Sequence, residues 1–238
     1  SATAGNDVMF DEALCEQGRN FCNKIWNAYR LINMWEVSTS QPQPEAAREA
    51  IAWFYEVMMQ RIELVNHLMA QYRISEAFTE LYRLFWDDFS GWYLELVKPV
   101  YGTPADVATI EATKHFFDEL LRLMHPFMPF ITEEIWQDLK PEEGTVSICV
   151  AREPKAERQA NEGVLSRFEL AKEVVTAIRN IRKQRNIAQK EALKLNYIAD
   201  DNFPQEFAAV IAKLGNIEAI TAVTDKDATA AQFIVKRS

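Results

Sequence analysis

In RNFCNKIWNAYR, residues 19–30, three asparagines and a lysine share twelve positions with Phe21, Ile25, Trp26 and Tyr29. Asparagine side chains compete for backbone hydrogen bonds and favour caps and turns, so three inside a helical pattern call for a use. Asn20, Lys24, Asn27, Leu31 and Met34 step by four, three, four and three, beside an apolar stripe of Phe21, Ile25, Ala28, Ile32 and Trp35. Arg19, Asn23 and Arg30 flank that row. An amide donates and accepts toward base edges, Lys and Arg meet phosphates, and apolar or aromatic groups pack on unstacked bases. The row reads as a surface for unpaired nucleic acid. Spacing alone leaves a blander reading open, in which the amides bond to neighbouring helices.

A second run, IRNIRKQRNIAQK, brings together Arg179, Arg182, Lys183, Arg185 and Lys190 and is the densest stretch of positive charge in the chain. Cations near a helix C-terminus are stabilised by its dipole, which accounts for them without a ligand. A phosphate-facing patch of Arg179, Arg182, Lys183 and Arg185 is the functional reading. Other constellations are weaker. Glu63 with His67 and Glu111 with His115 are spaced by four, where the carboxylate di-metal bundles use Glu-x-x-His, and the chain has only 3 His. No metal site is expected. Glu133 and Glu134 adjoin, but neighbours on a helix point about 100° apart, so complementation of a first-turn dipole is the simpler account. No Gly-rich phosphate loop, nucleophile elbow or H-E-x-x-H motif occurs, so no catalytic constellation is expected.

The totals narrow the class. With 238 residues, 48% hydrophobic and 26% charged, the chain can bury a substantial core and is not of disordered composition. Gly is scarce at 7 against 14 Phe and 6 Trp, which favours packed helices over a turn-rich sandwich. No apolar run approaches the roughly 20 residues that span a bilayer, and the first ten residues lack a signal-peptide pattern, so a cytoplasmic protein is expected. Cys15, Cys22 and Cys149 lack C-x-x-C spacing and are expected to be reduced thiols packed as small hydrophobes. A net charge of -9 argues against a nucleic-acid partner on its own. Screening over about 8 Å lets a local basic patch outweigh that total.

The elements that would position these residues follow from periodicity. A first helix is predicted over about 7–37. A second opens after Pro44 and carries Ile51, Phe54, Met58, Ile62, Val65, Met69 and Tyr72. Ser75 is placed to cap a third, bearing Phe78, Leu81, Phe85, Phe89, Trp92 and Leu96 and ending before Pro99. Thr103 and Pro104 open a fourth, and Pro126 and Pro129 bend the chain into a short helix. These make an antiparallel helix bundle over residues 1–150. A small α/β subdomain follows over 151–238: TVSICVA as a strand at the junction, a helix over about 163–185, LKLNYIA as a strand, PQEFAAVIAKLG as a helix closed by Gly215, then IEAITAV and QFIVKR as strands. The missing initiator Met and the terminal strand suggest truncation of a longer chain.

Three ordered stretches carry a resemblance. RNFCNKIWNAYRLI is similar to the start of the anticodon-binding domain of class I aminoacyl-tRNA synthetases. FWDDFSGWYLELVKP and LLRLMHPFMPFITEEIW resemble the next two signatures of the valine-specific branch. Gly91 departs from the acidic residue usual there, so no polar role is assigned to it. Isoleucyl and leucyl relatives share the bundle, but their third helix usually lacks W-Y-L-E, which favours valine. The resemblance implies a mainly α anticodon-binding bundle from an enzyme that joins valine to its tRNA with ATP and Mg²⁺. The nucleotide-binding signatures are missing here, so ATP and Mg²⁺ belong to a catalytic domain upstream, no cofactor is expected in this chain, and the chain alone should be inactive. The implied tRNA contacts are Lys24 and Leu31 first, then Asn20, Asn23, Asn27, Arg19 and Arg30. A monomer with no membrane partner is expected. A helical protein-interaction scaffold is the reading from another class.

Overall fold

The computed structural model describes residues 11–139, 146–198, 202–224 and 230–234. The protein is mainly α, an antiparallel bundle followed by a small α/β unit. Helix α1 spans Glu12–Asn33 and starts where the Asp11 carboxylate accepts from the Ala13 N–H at 2.9 Å. It is shorter than periodicity predicts at its C-terminal end, closing at Met34. Val37–Ser38 (β1) then pairs in parallel with Ala105–Asp106 (β2). Helix α2, Glu45–Ala70, follows Pro44. Tyr72, predicted to face inward, lies beyond the end of α2, exposed and at φ 59°.

Helix α3 spans Ile74–Arg83 and runs into a π-helical stretch, Leu84–Tyr93, then α4, Leu94–Val97. Ser75 lies inside α3, whose N-cap is Arg73, so the predicted serine cap is not made. Helix α5, Val107–Met124, is capped by Asp106 through the Thr109 N–H at 2.8 Å, one turn past the Thr103-Pro104 start read from sequence. Helix α6, Pro129–Leu139, begins at Pro129, which places Glu133 and Glu134 beyond its first turn. The Glu133 carboxylate instead accepts from Ser147 Oγ at 2.8 Å and the Ile148 N–H at 3.1 Å. Ile148–Val150 is a 3-10 turn rather than a strand, and Thr145 of the predicted strand lies outside the described residues.

Helix α7 spans Glu162–Arg185, close to its predicted extent. Strands β3, Leu193–Ile198, and β4, Ile217–Val223, pair in parallel, with α8, Ala208–Gly215, as the crossover. The left-handed residue closing α8 is Asn216, at φ 49°, instead of Gly215. A Cβ on Gly215 would sit 3.2 Å from the Ile178 Cδ1 of α7, so this glycine serves close packing. Residues 232–234 form no strand, and 235–237 of the predicted last strand lie outside the described residues.

One apolar cluster runs through both parts. Phe54, Phe85, Phe89, Phe116 and Phe117 fill the bundle, and Phe168 of α7 stacks on Trp53 of α2 at 3.8 Å and 10°. Burying an aromatic of this size contributes about 1.5–3 kcal/mol. Among the described residues no helix is long and apolar enough to cross a membrane.

Candidate nucleic-acid interface

Helix α1 buries Phe21, Ile25, Ala28, Tyr29 and Ile32 against the bundle, and Trp35 is half-buried just beyond it. The apolar stripe fixes the rotation of the helix, and that rotation decides what the remaining residues face. Arg19, Asn20, Asn23, Asn27 and Arg30 are exposed, and Lys24 and Leu31 are half-buried. Among the described residues the side chains of the three asparagines make no hydrogen bond, so their amides point to solvent. Arg19 pairs with Glu16 at 3.6 Å, an exposed bridge that screening weakens.

Lys24 has a support that spacing did not reveal. Its Nζ lies 5.2 Å from the centre of the Trp86 ring. Trp86 in turn stacks on Tyr82 at 5.4 Å and 15°, and Phe21 leans on Tyr82 at 4.7 Å. A cation over an indole face gains about 0.5–1 kcal/mol at an exposed site, enough to bias where a flexible ammonium points. The half-exposed rings of Tyr82 and Trp86 also widen the surface on which a base can stack. The spacing of Tyr82 and Trp86 by four was a legible sign, but neither residue was assigned a role from the sequence.

The π-helical stretch serves two helices. It turns Trp86 toward α1 and Trp92 toward α7, where the Arg179 guanidinium lies 5.7 Å and Lys172 Nζ 5.5 Å from the Trp92 ring. Lys172 also reaches Asp88 at 3.6 Å, and Arg61 meets the same carboxylate at 3.5 Å. Burial raises the Asp88 carboxyl above its usual range, against the pull of Lys172 and Arg61.

The basic run at the end of α7 divides. Arg179, Lys183, Arg185 and Lys190 are exposed. Arg182 is 1% exposed, and its guanidinium donates to the carbonyls of Ala188 at 2.9 Å, Glu191 at 2.9 Å, Gly215 at 2.8 Å and Asn216 at 3.1 Å. It cannot meet a phosphate and leaves the patch read from sequence. Its planar fork ties the end of α7 to the end of α8 and the turn before β3.

The weaker candidates also resolve into surface contacts. His67 Nε2 lies 2.9 Å from the Gln71 amide, and His115 faces Glu119 at 3.8 Å. The thiols differ from expectation, for Cys15 and Cys149 are exposed and Cys22 is half-buried, so they are not core packing.

The family described as the anticodon-binding domain of tRNA ligase matches residues 52–197. The valine–tRNA ligase of Parabacteroides distasonis is 50% identical over 236 residues, 99% of this chain and 27% of that protein. That of Porphyromonas gingivalis is 48% identical over 236 residues, 99% of this chain and 26% of its own length. The Thermotoga maritima enzyme is 33% identical over 226 residues, 94% of this chain and 26% of its own. The chain spans about a quarter of the length of these curated relatives. It belongs to the anticodon-binding domain family of tRNA ligases, and α1 lies ahead of the matched range.

Proposed function

We propose that this chain, as a member of that family, is the tRNA-holding part of a valine–tRNA ligase and reads the anticodon loop with the outward face of α1. The observation that carries the reading is the exposed, unbonded row Asn20, Asn23 and Asn27 around a lysine braced on Trp86. Anticodon bases are unpaired, so their edges and faces are open to amides and to stacking groups. Lys24 meets the loop backbone or a base, the asparagines supply hydrogen bonds, Leu31 packs on a splayed base, and Arg19 and Arg30 steer phosphates. Lys183 and Arg185, with Arg179, form a second, smaller phosphate contact.

Attachment of valine to its tRNA, with ATP and Mg²⁺, falls to a catalytic domain in the full-length protein, and no cofactor is assigned to this chain. Its partners are the tRNA for valine and that catalytic domain. It acts as a monomer in the cytoplasm, with the bundle of residues 1–150 as the reading unit and 151–238 as the subdomain that supports it.

The test is the salt dependence of binding to the tRNA for valine, with Lys24→Ala beside the parent chain. Loss of one phosphate contact lowers the slope of log affinity against log salt by about 0.7–0.9, along with a weaker affinity. Unchanged affinity and unchanged slope would remove Lys24 from the interface.

A further inference from the structure

Three unlike donors that belong to neither basic row converge at the end of α5. His125 follows the last residue of α5, Glu133 stands on α6, and Cys149 sits in the 3-10 turn Ile148–Val150. One ligand atom from each lies within 4.8 Å of the others, and His125 Nε2 is 3.1 Å from Cys149 Sγ. From these contacts we propose that His125, Glu133 and Cys149 bind a single thiophilic divalent cation of the zinc class, with water at the fourth position.

Neighbouring side chains and backbone fix all three donors in place. Thr132 is fully buried, and its hydroxyl donates to the Met128 carbonyl at 2.9 Å. With that proton committed, Thr132 Oγ can only accept from His125 Nδ1, 2.8 Å away. The Nδ1–H tautomer leaves the Nε2 lone pair facing Cys149. A hydrogen bond from the far ring nitrogen is the usual outer support of a metal-binding histidine. The Glu133 carboxylate is oriented by hydrogen bonds that it accepts from the Gln137 amide at 2.6 Å, Ser147 Oγ at 2.8 Å and the Ile148 N–H at 3.1 Å.

The same short segment fixes the thiol. Ser147 Oγ donates to Glu133 at 2.8 Å and accepts from the Cys149 N–H at 3.1 Å, so carboxylate and cysteine are positioned by one residue. One nitrogen, one sulfur and one oxygen suit a borderline-soft ion with tetrahedral preference. Zinc bonds of about 2.3 Å to sulfur and about 2.0 Å to nitrogen would part Sγ and Nε2 only slightly. Binding forms a metal–sulfur bond and releases the Cys149 thiol proton to solvent, with no change of oxidation state. The ion clips the 3-10 turn to the α5–α6 corner.

The test uses the 238-residue chain, stripped with chelator, kept reduced and titrated with Co²⁺ and then Zn²⁺. The proposal predicts one equivalent bound, one proton released per ion, a near-ultraviolet thiolate-to-cobalt charge-transfer band, and displacement of cobalt by zinc. Cys149→Ser removes the band and weakens binding by at least about tenfold. Glu133→Gln, which keeps its acceptor oxygen, weakens binding but retains the band. A Cys15→Ser/Cys22→Ser variant binds like the parent. Far-ultraviolet circular dichroism confirms that each variant is folded. Absence of uptake at micromolar metal leaves a bare thiol–imidazole pair and overturns the proposal, as does binding that survives in Cys149→Ser or vanishes in the Cys15/Cys22 variant.

Discussion

Helix α1 and the end of α7 carry comparable residue types, amides and cations recurring at helical spacing beside an apolar stripe. In α1 the amides reach solvent and Lys24 is braced from beneath by Trp86. In α7 the central cation, Arg182, is sealed and gives its donors to four backbone carbonyls. What separates the two is what lies across from the helix. Opposite Arg182 stand the end of α8 and the turn before β3, where four carbonyls converge, two of them (Ala188 and Asn216) also accepting from the Glu191 and Leu193 N–H groups, and a buried guanidinium bridges them all. The outward side of α1 meets no such neighbour among the described residues. A positive charge in a helical pattern therefore says little until the opposing chain ends are known.

That contrast can be broken by substitution. The largest effect is expected for Arg182→Met, which leaves the four carbonyls without a charged donor and should lower unfolding free energy by about 3 kcal/mol. Denaturant titration measures it, and a loss below about 0.5 kcal/mol would return Arg182 to the surface class.

The next effect lies in pH, because the first turn of α8 is held by a partly buried carboxylate. Glu49 of α2 accepts from the Val210 N–H of α8 at 3.1 Å. Burial, then the charge of Glu45, pushes its carboxyl up to about 7 from 4.5, against the Val210 and Ala209 hydrogen bonds. A raised carboxyl pKa means that the folded state binds the extra proton, so this contribution to stability is present below about 4.5 and lost as pH rises to about 7. Thermal unfolding should show a midpoint declining across that window, and Glu49→Gln should flatten the decline. A midpoint equally steep in the variant would assign the dependence elsewhere.

The smallest stability effect belongs to the exposed cations. Lys183→Ala with Arg185→Ala should leave stability within about 0.5 kcal/mol, since neither holds a buried partner. The salt slope of tRNA binding should fall. A stability loss comparable to that of Arg182→Met would erase the distinction drawn within α7.

Much of this was legible in the sequence, and the failures share a cause. Helices α2 and α7 follow their apolar periods to within a few residues because both pack along most of their length. Residues 84–93 read as plain α-helix, since Leu81, Phe85, Phe89, Trp92 and Leu96 step by four and three. Yet the backbone pairs i to i+5, as in the Leu94 N–H to the Phe89 carbonyl. The β-branched run at 145–151 read as a strand, but Val146 and Val150 are 81% and 69% exposed and the segment closes on Glu133 instead of pairing. The Ser75 and Thr103 caps were local guesses that Arg73 and Asp106 displaced. In the interface, the outward row followed from the stripe opposite it. The spacing of Tyr82 and Trp86 was local, but their place beneath Lys24 and the burial of Arg182 depend on contacts distant in sequence, which no local pattern carries.

The sharpest measurement replaces Asn20, Asn23 and Asn27 together by Ala and follows binding of an anticodon stem-loop of the tRNA for valine across a salt series. Uncharged amides that read base edges release no counterions, so affinity should fall at every salt concentration while the slope stays that of the parent chain. Affinity equal to the parent's throughout the series would contradict the assignment of this face to the loop.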